Sequence, residues 1–116
     1  MSKSILQDKS KRQCYLCMLL YDNDSRRVCI EEHHVFGGPN RKKSEHYGLK
    51  IYLDRYHHTG DITGSSEAIH MNKKYDLMVK QIAQREFEKR YGHEKFMAVF
   101  GKNYIPEEEW SDGGEG

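Results

Sequence analysis

The chain has 116 residues, of which 36% are apolar and 32% are charged, and it is expected to form one domain with a modest core. No run of about 18 apolar residues occurs, which excludes a membrane span. The net charge is +1, but all 19 basic residues lie at or before Lys102, and five acidic residues follow them. Removing these five from the 18 acidic residues leaves 13 in the body. The resulting charge of +6 favours a polyanionic partner, with solubility alone as the alternative.

The N-terminal part combines a polar arm with a pair of cysteines. Residues 1–12 lack the apolar segment of a secretory signal, and we expect a mobile arm. The three cysteines are an odd number, which argues against a disulfide framework and predicts a reducing, cytoplasmic location. Cys14 and Cys17 form a Cys-x-x-Cys pair, half of a tetrahedral zinc site that His58 or His70 would complete. A redox pair is less favoured because such a pair normally opens a helix after a strand, and no role is a further alternative.

Two short strands are predicted in the first half of the chain. Residues 28–34 have the β-branched content and length of a strand. Gly-Gly-Pro-Asn at 37–40 predicts a turn, and residues 41–46 are expected to continue as a charged loop. Alternation of apolar and other side chains over residues 49–53 predicts a second, half-buried strand.

The second half is predicted to be helical. From Asn72 onward, apolar residues recur at three- and four-residue intervals and form a stripe that belongs to the core. Its members are Tyr75, Met78, Val79, Ile82, Ala83, Phe87 and Tyr91. Asn72 is the expected N-cap and Gly92 the expected stop. A second helix over residues 93–100 ends at Gly101, and residues 106–116 are predicted to form a disordered acidic tail.

Histidines carry the strongest indication of chemistry. Six of the seven lie between positions 33 and 70, and His33-His34 ends the first predicted strand. Neighbouring side chains on a strand point to opposite faces, so one imidazole can hold a metal while the other acts as a general base. We expect His33, His34 and His57 to form a site for phosphodiester cleavage, with His33 as a ligand of a divalent ion and His34 as the base that deprotonates water. The alternatives are a purely structural metal and loop histidines without a shared role.

Several motifs resemble the ββα-metal core of the HNH, or His-Me finger, endonucleases. They are Cys-Tyr-Leu-Cys at 14–17, Glu-His-His-Val-Phe-Gly-Gly at 32–38 and Tyr-Gly-Leu-Lys-Ile-Tyr-Leu-Asp-Arg-Tyr-His-His at 47–58. The stretch 33–104 resembles more closely the small HNH-like proteins of phages and prophages of Gram-positive bacteria, whose relatives include recombination-enhancement nucleases. The resemblance implies an α+β domain over residues 13–105: a small ββα-metal core with a zinc-knuckle-like N-terminal part and C-terminal helices.

The resemblance also implies an activity and a place of action. It implies a phage-encoded, metal-dependent DNA nuclease in the cytoplasm of the bacterial host, with Mg²⁺, Mn²⁺ or Zn²⁺ at the active site and a structural Zn²⁺ as a further expectation. The first histidine of the family's pair binds metal and matches His33. The second is the general base and matches His34, and the last motif histidine matches His57. His70 is a candidate ligand for either metal.

Departures from the family pattern keep other functions open. Gly48 stands where the motif asparagine is usual, with Asn40 or Asn72 as candidate replacements, and Leu53 and Tyr56 stand where a second Cys-x-x-Cys would be. These departures and the acidic tail motivate an alternative: a catalytically weak HNH scaffold that binds a host protein, such as an anti-CRISPR-like inhibitor of a host defence nuclease. A third hypothesis is a zinc-stapled DNA-binding module without chemistry.

Basic residues follow the histidine pair directly. Arg41, Lys42 and Lys43 are expected to contact the DNA backbone without reading bases, with a solvated charge run as the alternative. The oligomeric state is left open by the sequence.

Overall fold

A computed structural model describes residues 4–7, 14–21, 30–54, 69 and 72–112. This part of the chain forms a small α+β fold whose helices surround one two-stranded antiparallel sheet, which fits a ββα core in general terms. The α-helices and strands are α1 Tyr15–Tyr21, β1 Ile30–His34, α2 Arg41–His46, β2 Lys50–Asp54, α3 Lys73–Tyr91 and α4 His93–Phe100. No helix among these residues is both long and apolar enough to cross a membrane.

The hairpin of β1 and β2 confirms the predicted divergence of the two histidines. His33 lies opposite Ile51 and His34 lies opposite Lys50 in the antiparallel register. Side chains alternate between the faces of a strand, so His33 shares a face with Ile51 and Leu53, both fully buried. His34 shares the other face with Lys50. The predicted second strand is confirmed, with bounds one residue later than expected.

The first predicted element, the mobile arm, differs from the structure at residues 4–7. These residues lie along the outer edge of β2, where Ser4 Oγ donates to the carbonyl of Lys50 at 2.5 Å. The amide of Tyr52 donates to Gln7 Oε1 at 2.8 Å, and the amide of Ile5 donates to the carbonyl of Gly48 at 2.9 Å. Strand β2 therefore has partners on both of its edges.

Helix α2 replaces the charged loop predicted for residues 41–46, and that prediction is wrong. A 3₁₀ turn at Gly38–Asn40 precedes the helix, and Pro39 is fixed at a φ that suits a helix start. The inner side of α2 is anchored by Ser44, whose Oγ accepts from the amide of Phe36 at 3.2 Å and donates to the carbonyl of Leu49 at 2.5 Å. One buried serine thus fastens α2 to both arms of the hairpin.

Helix α3 contributes Val79, Ala83 and Phe87 of the predicted apolar stripe to the core, whereas Tyr91, the last member of the stripe, is exposed. Asn72 Oδ1 accepts hydrogen bonds from the amides of Lys74 and Tyr75 at 3.0 and 3.1 Å, which confirms the predicted N-cap. Gly92 ends the helix at a φ of 91°, a conformation that side-chain-bearing residues rarely adopt. The stripe packs through Phe87 against the ring of Phe96 on α4, with centroids 5.5 Å apart.

The C-terminal segment is ordered against the helices up to residue 112, in contrast to the predicted disordered tail. Glu107–Glu109 form a 3₁₀ turn, and Glu109 Oε1 accepts from Arg85 Nε of α3 at 2.5 Å. The ring of Trp110 stacks on that of His93, with centroids 3.6 Å apart. The segment therefore belongs to the domain, which extends beyond the predicted limit at residue 105.

A buried carboxylate holds this segment in place. Glu88 on α3 has no solvent exposure. It accepts hydrogen bonds from Gln84 Nε2 at 2.7 Å, His93 Nδ1 at 2.6 Å and the amide of Ser111 at 3.0 Å. Three donors around one buried carboxylate stabilise the anion there.

Candidate active site

The end of β1 opens into a cleft of about 380 Å³. Its walls include Glu32, His33 and His34 from β1, Arg41 from α2, and Asp76 and Lys80 from α3. The cleft therefore brings together both histidines of the predicted pair and the first of the three predicted DNA-binding residues.

Four polar side chains on one side of the hairpin form a cluster that we call the His34 cluster: Glu32, His34, Glu45 and Lys50. Glu45 reaches it from α2, with Oε1 2.9 Å from His34 Nε2 and Oε2 2.8 Å from Lys50 Nζ. Glu32 is the more distant acid, at 3.6 Å from His34 Nε2 and 3.5 Å from Lys50 Nζ. The side chain of Lys50 is only 3% exposed, so its ammonium depends on these carboxylates.

Electrostatics fix the charge states of Glu45 and Lys50. Hydrogen bonds from Lys50 and then from His34 lower the pKa of Glu45 to about 2. Burial opposes the charge on Lys50, but the hydrogen bond with Glu45 and the charges of Glu32 and Glu45 outweigh it and raise the pKa of Lys50. At neutral pH, Glu45 is therefore an anion and Lys50 a cation.

The ionised Glu45 also orients the ring of His34. A carboxylate can only accept hydrogen bonds, so Nε2 of His34 carries the proton that bonds Glu45. In the neutral imidazole, the lone pair then lies on Nδ1, and within the described part of the chain no side chain or backbone group bonds that nitrogen. Because His34 lines the cleft, the arrangement suits a ring that accepts a proton from a water molecule held there.

Acid should weaken the fold through Glu45. The folded-state pKa is lowered to about 2, so between its ordinary value near 4.5 and about 2 the unfolded chain binds more protons than the folded chain. Stability conferred by Glu45 is complete above the ordinary pKa and is lost as the pH falls through this range. We expect a loss of about 1–2 kcal/mol after allowance for solvent screening, measured by urea unfolding at pH 6 and pH 3.

The Glu45→Gln variant should lose much of this difference between the two pH values, because glutamine does not titrate. Glu94→Gln is a matched control, since Glu94 is exposed on α4 and belongs to no such cluster. An equal pH dependence of Glu45→Gln and the wild type would contradict the assignment.

The predicted metal ligands are placed only in part. His33 lies on the cleft wall, but it points to the face of β1 opposite Glu32. In the described residues, the three potential ligand atoms that lie within 4.8 Å of one another belong to Glu32, His34 and Glu45, and imidazole with carboxylate oxygens suits Mn²⁺, Zn²⁺ or Mg²⁺. There, however, the single Lys50 ammonium already pairs with both carboxylates, at 3.5 Å from Glu32 and 2.8 Å from Glu45, so a divalent ion would compete with it. The predicted ligands His57 and His70 lie outside the described residues.

The predicted zinc knuckle is likewise only partly described. Cys14 is buried directly before α1, and its carbonyl accepts from the amide of Met18 at 3.1 Å. The side chains of Cys17, His58 and His70 lie outside the described part. The Cys-x-x-Cys pair does open a helix, which is the local geometry that the sequence argument attributed to redox pairs.

The other predicted site residues occupy defined positions. Arg41, Lys42 and Lys43 are exposed on α2, and Lys43 Nζ donates to the carbonyl of Val99 at 2.8 Å, so they belong to a helix and not to the predicted flexible loop. Of the two candidate replacements for the motif asparagine, Asn72 caps α3 and Asn40 Nδ2 donates to the carbonyl of Phe100 at 3.4 Å.

Sequence reasoning missed Glu32, Glu45, Lys50, Asp76 and Lys80. Three of them left a signal: Glu32 lies two residues before His34 and so shares its face on the strand, and Asp76 and Lys80 are four residues apart on a helix. Glu45 left none, because its role depends on α2 packing against the hairpin.

Comparison with known proteins adds no relative to this picture. No family model, no curated protein and no solved structure matches the chain. The function must therefore be argued from the site itself.

Proposed function

We propose that this protein is a divalent-metal-dependent HNH-type endonuclease, phage-encoded, that hydrolyses DNA phosphodiester bonds in the cytoplasm of a bacterial host. The supporting observation is the state of His34. Its Nε2 donates to the ionised Glu45 at 2.9 Å, while its ring lines the cleft that also contains His33. A histidine that is held by a carboxylate on one nitrogen and that lines a cleft is suited to general-base catalysis.

Each residue at the cleft has a defined part in this proposal. His34 accepts the proton of the attacking water at Nδ1, and Glu45 holds the ring and stabilises the imidazolium that forms. Arg41 binds the phosphate and offsets its charge. His33 would hold the divalent ion, as the resemblance to the HNH endonucleases implies, and the bound ion would supply positive charge at the phosphate and a more acidic water.

The test is plasmid nicking by the purified protein. Supercoiled DNA is incubated with Mg²⁺, Mn²⁺ or Zn²⁺, and matched reactions contain EDTA. We expect conversion to the open-circular form with at least one ion and none with EDTA. Absence of nicking with all three ions would overturn the proposal, as would equal nicking in EDTA.

A further inference from the structure

Helix α3 forms one side of the cleft. The DNA contacts predicted from the sequence all lie on α2, so they include no residue of this side. Asp76 and Lys80 lie four residues apart on α3, and both line the cleft. Lys80 Nζ is 2.8 Å from Asp76 Oδ2, and its side chain is 24% exposed. The lysine is therefore held in one position and still open to solvent at the cleft.

An aromatic ring fixes Lys80 from a second direction. Its ammonium lies 5.8 Å from the centroid of the Tyr104 ring, and Lys102 Nζ lies 5.4 Å from the same centroid. Tyr104 itself packs on Phe36, with centroids 5.5 Å apart, next to the glycines that begin the turn after β1. Two ammonium groups thus converge on one ring that is anchored in the core.

The contribution of the Asp76–Lys80 pair to the stability of α3 does not account for its position at the cleft. An exposed acid–lysine pair with four-residue spacing contributes little to folding. Arg41 and Lys80 instead place a cation on each of two helices at the same cleft. An anion that enters the cleft is attracted by the side chains of Arg41 and Lys80 and repelled by the carboxylate of Asp76.

We propose that Lys80 and Lys102 bind the backbone phosphates of a nucleic acid strand that continues past the cleft along α3, and that Asp76 pairs with Lys80 in the free protein and competes with the phosphate for it. The substrate class follows from the chemistry: ammonium groups contact phosphates as point charges and read no bases. The inference rests on the proposed nuclease function for the direction of the strand. It adds a second contact surface, on α3 and at Tyr104, to the one expected on α2.

Binding is measured without catalysis, by fluorescence anisotropy of a labelled DNA oligonucleotide in EDTA over a series of salt concentrations. Lys80→Gln should weaken binding about threefold to tenfold and lower the slope of log affinity against log salt by about 1. Lys102→Gln should act in the same direction. Asp76→Asn should tighten binding about twofold to fivefold, because it removes a negative charge that faces the phosphates.

The Lys80 and Asp76 variants should change the DNA affinity in opposite directions. A purely structural role would not give this result, because either variant breaks the same helix-stabilising pair and both would then change the affinity in the same direction. Lys89→Gln is the matched control: Lys89 is exposed on α3 and paired with Glu86 at 3.3 Å, but it does not line the cleft. If Lys80→Gln has the affinity and salt slope of the wild type, the inference is wrong, but the proposed nicking activity is not affected by that result. If Lys80→Gln binds DNA more weakly but the wild-type protein nicks no plasmid, the phosphate contact is supported and only the proposed nuclease activity is contradicted.

Discussion

Replacing His34 with alanine is expected to lower the rate of plasmid nicking about 10²- to 10⁴-fold, because the variant lacks the imidazole that accepts the proton of the attacking water. The fold should survive the change. Glu45 keeps its hydrogen bond with Lys50 at 2.8 Å, so no buried charge is left without a partner. Initial rates of open-circle formation, with urea unfolding of the same preparation, measure the two effects separately.

The matched control is His46→Ala, which removes an exposed histidine from α2, outside the His34 cluster. It should nick plasmid at the wild-type rate. Equal rates for His34→Ala and the wild type would show that another group activates the water. Equal losses in both variants would point to a fault in folding, which the unfolding curves would reveal.

Replacing Glu88 with alanine is expected to reduce the free energy of unfolding by about 2–4 kcal/mol, since it removes the acceptor of one buried and two part-buried donors. These donors are Gln84 Nε2, His93 Nδ1 and the amide of Ser111. The amide and the imidazole join α3 to the residues that follow it, so the loss should also release the C-terminal segment. Urea unfolding at pH 7 measures the first effect.

Trp110 reports the release directly, because it is the sole tryptophan of the chain and stacks on His93. In Glu88→Ala its fluorescence should become more accessible to acrylamide. Glu86→Ala is the matched control, since Glu86 lies on the same helix but pairs only with the exposed Lys89 among its ion-pair partners in the described residues. Unchanged stability and quenching in Glu88→Ala would contradict the role given to the buried carboxylate.

The elements that sequence reasoning located are those whose signals are local. The N-cap at Asn72 depends on bonds to amides two and three residues away. The divergence of His33 and His34 depends only on the alternation of a strand. Both follow from the neighbouring residues, and the structure confirms both.

The elements that sequence reasoning missed depend on tertiary contacts. Helix α2 is rich in charge on its outer side, and its inner side is fixed by Ser44, a residue that is equally common in loops. Lys50 falls on the polar positions of an alternating strand, where solvent exposure is the ordinary expectation. It is buried because Glu45 arrives from α2 and residues 4–7 cover the edge of β2.

The candidate site divides in the same way. The sequence indicated His34 as a candidate proton acceptor and Arg41 as a candidate phosphate contact, and both line the cleft. It could not supply Glu45 as the residue that orients His34, since that contact joins a helix to a strand eleven positions away. The charge balance of the cluster is thus a property of packing and not of any motif.

The short contact of residues 4–7 with β2 has a consequence for handling the protein. Ser4 and Gln7 satisfy the carbonyl of Lys50 and the amide of Tyr52, which would otherwise form an open strand edge. Open edges recruit strands from other molecules and lead to self-association. A chain trimmed at its amino end would therefore expose the edge of β2 to other molecules, and purification tags belong at the opposite terminus.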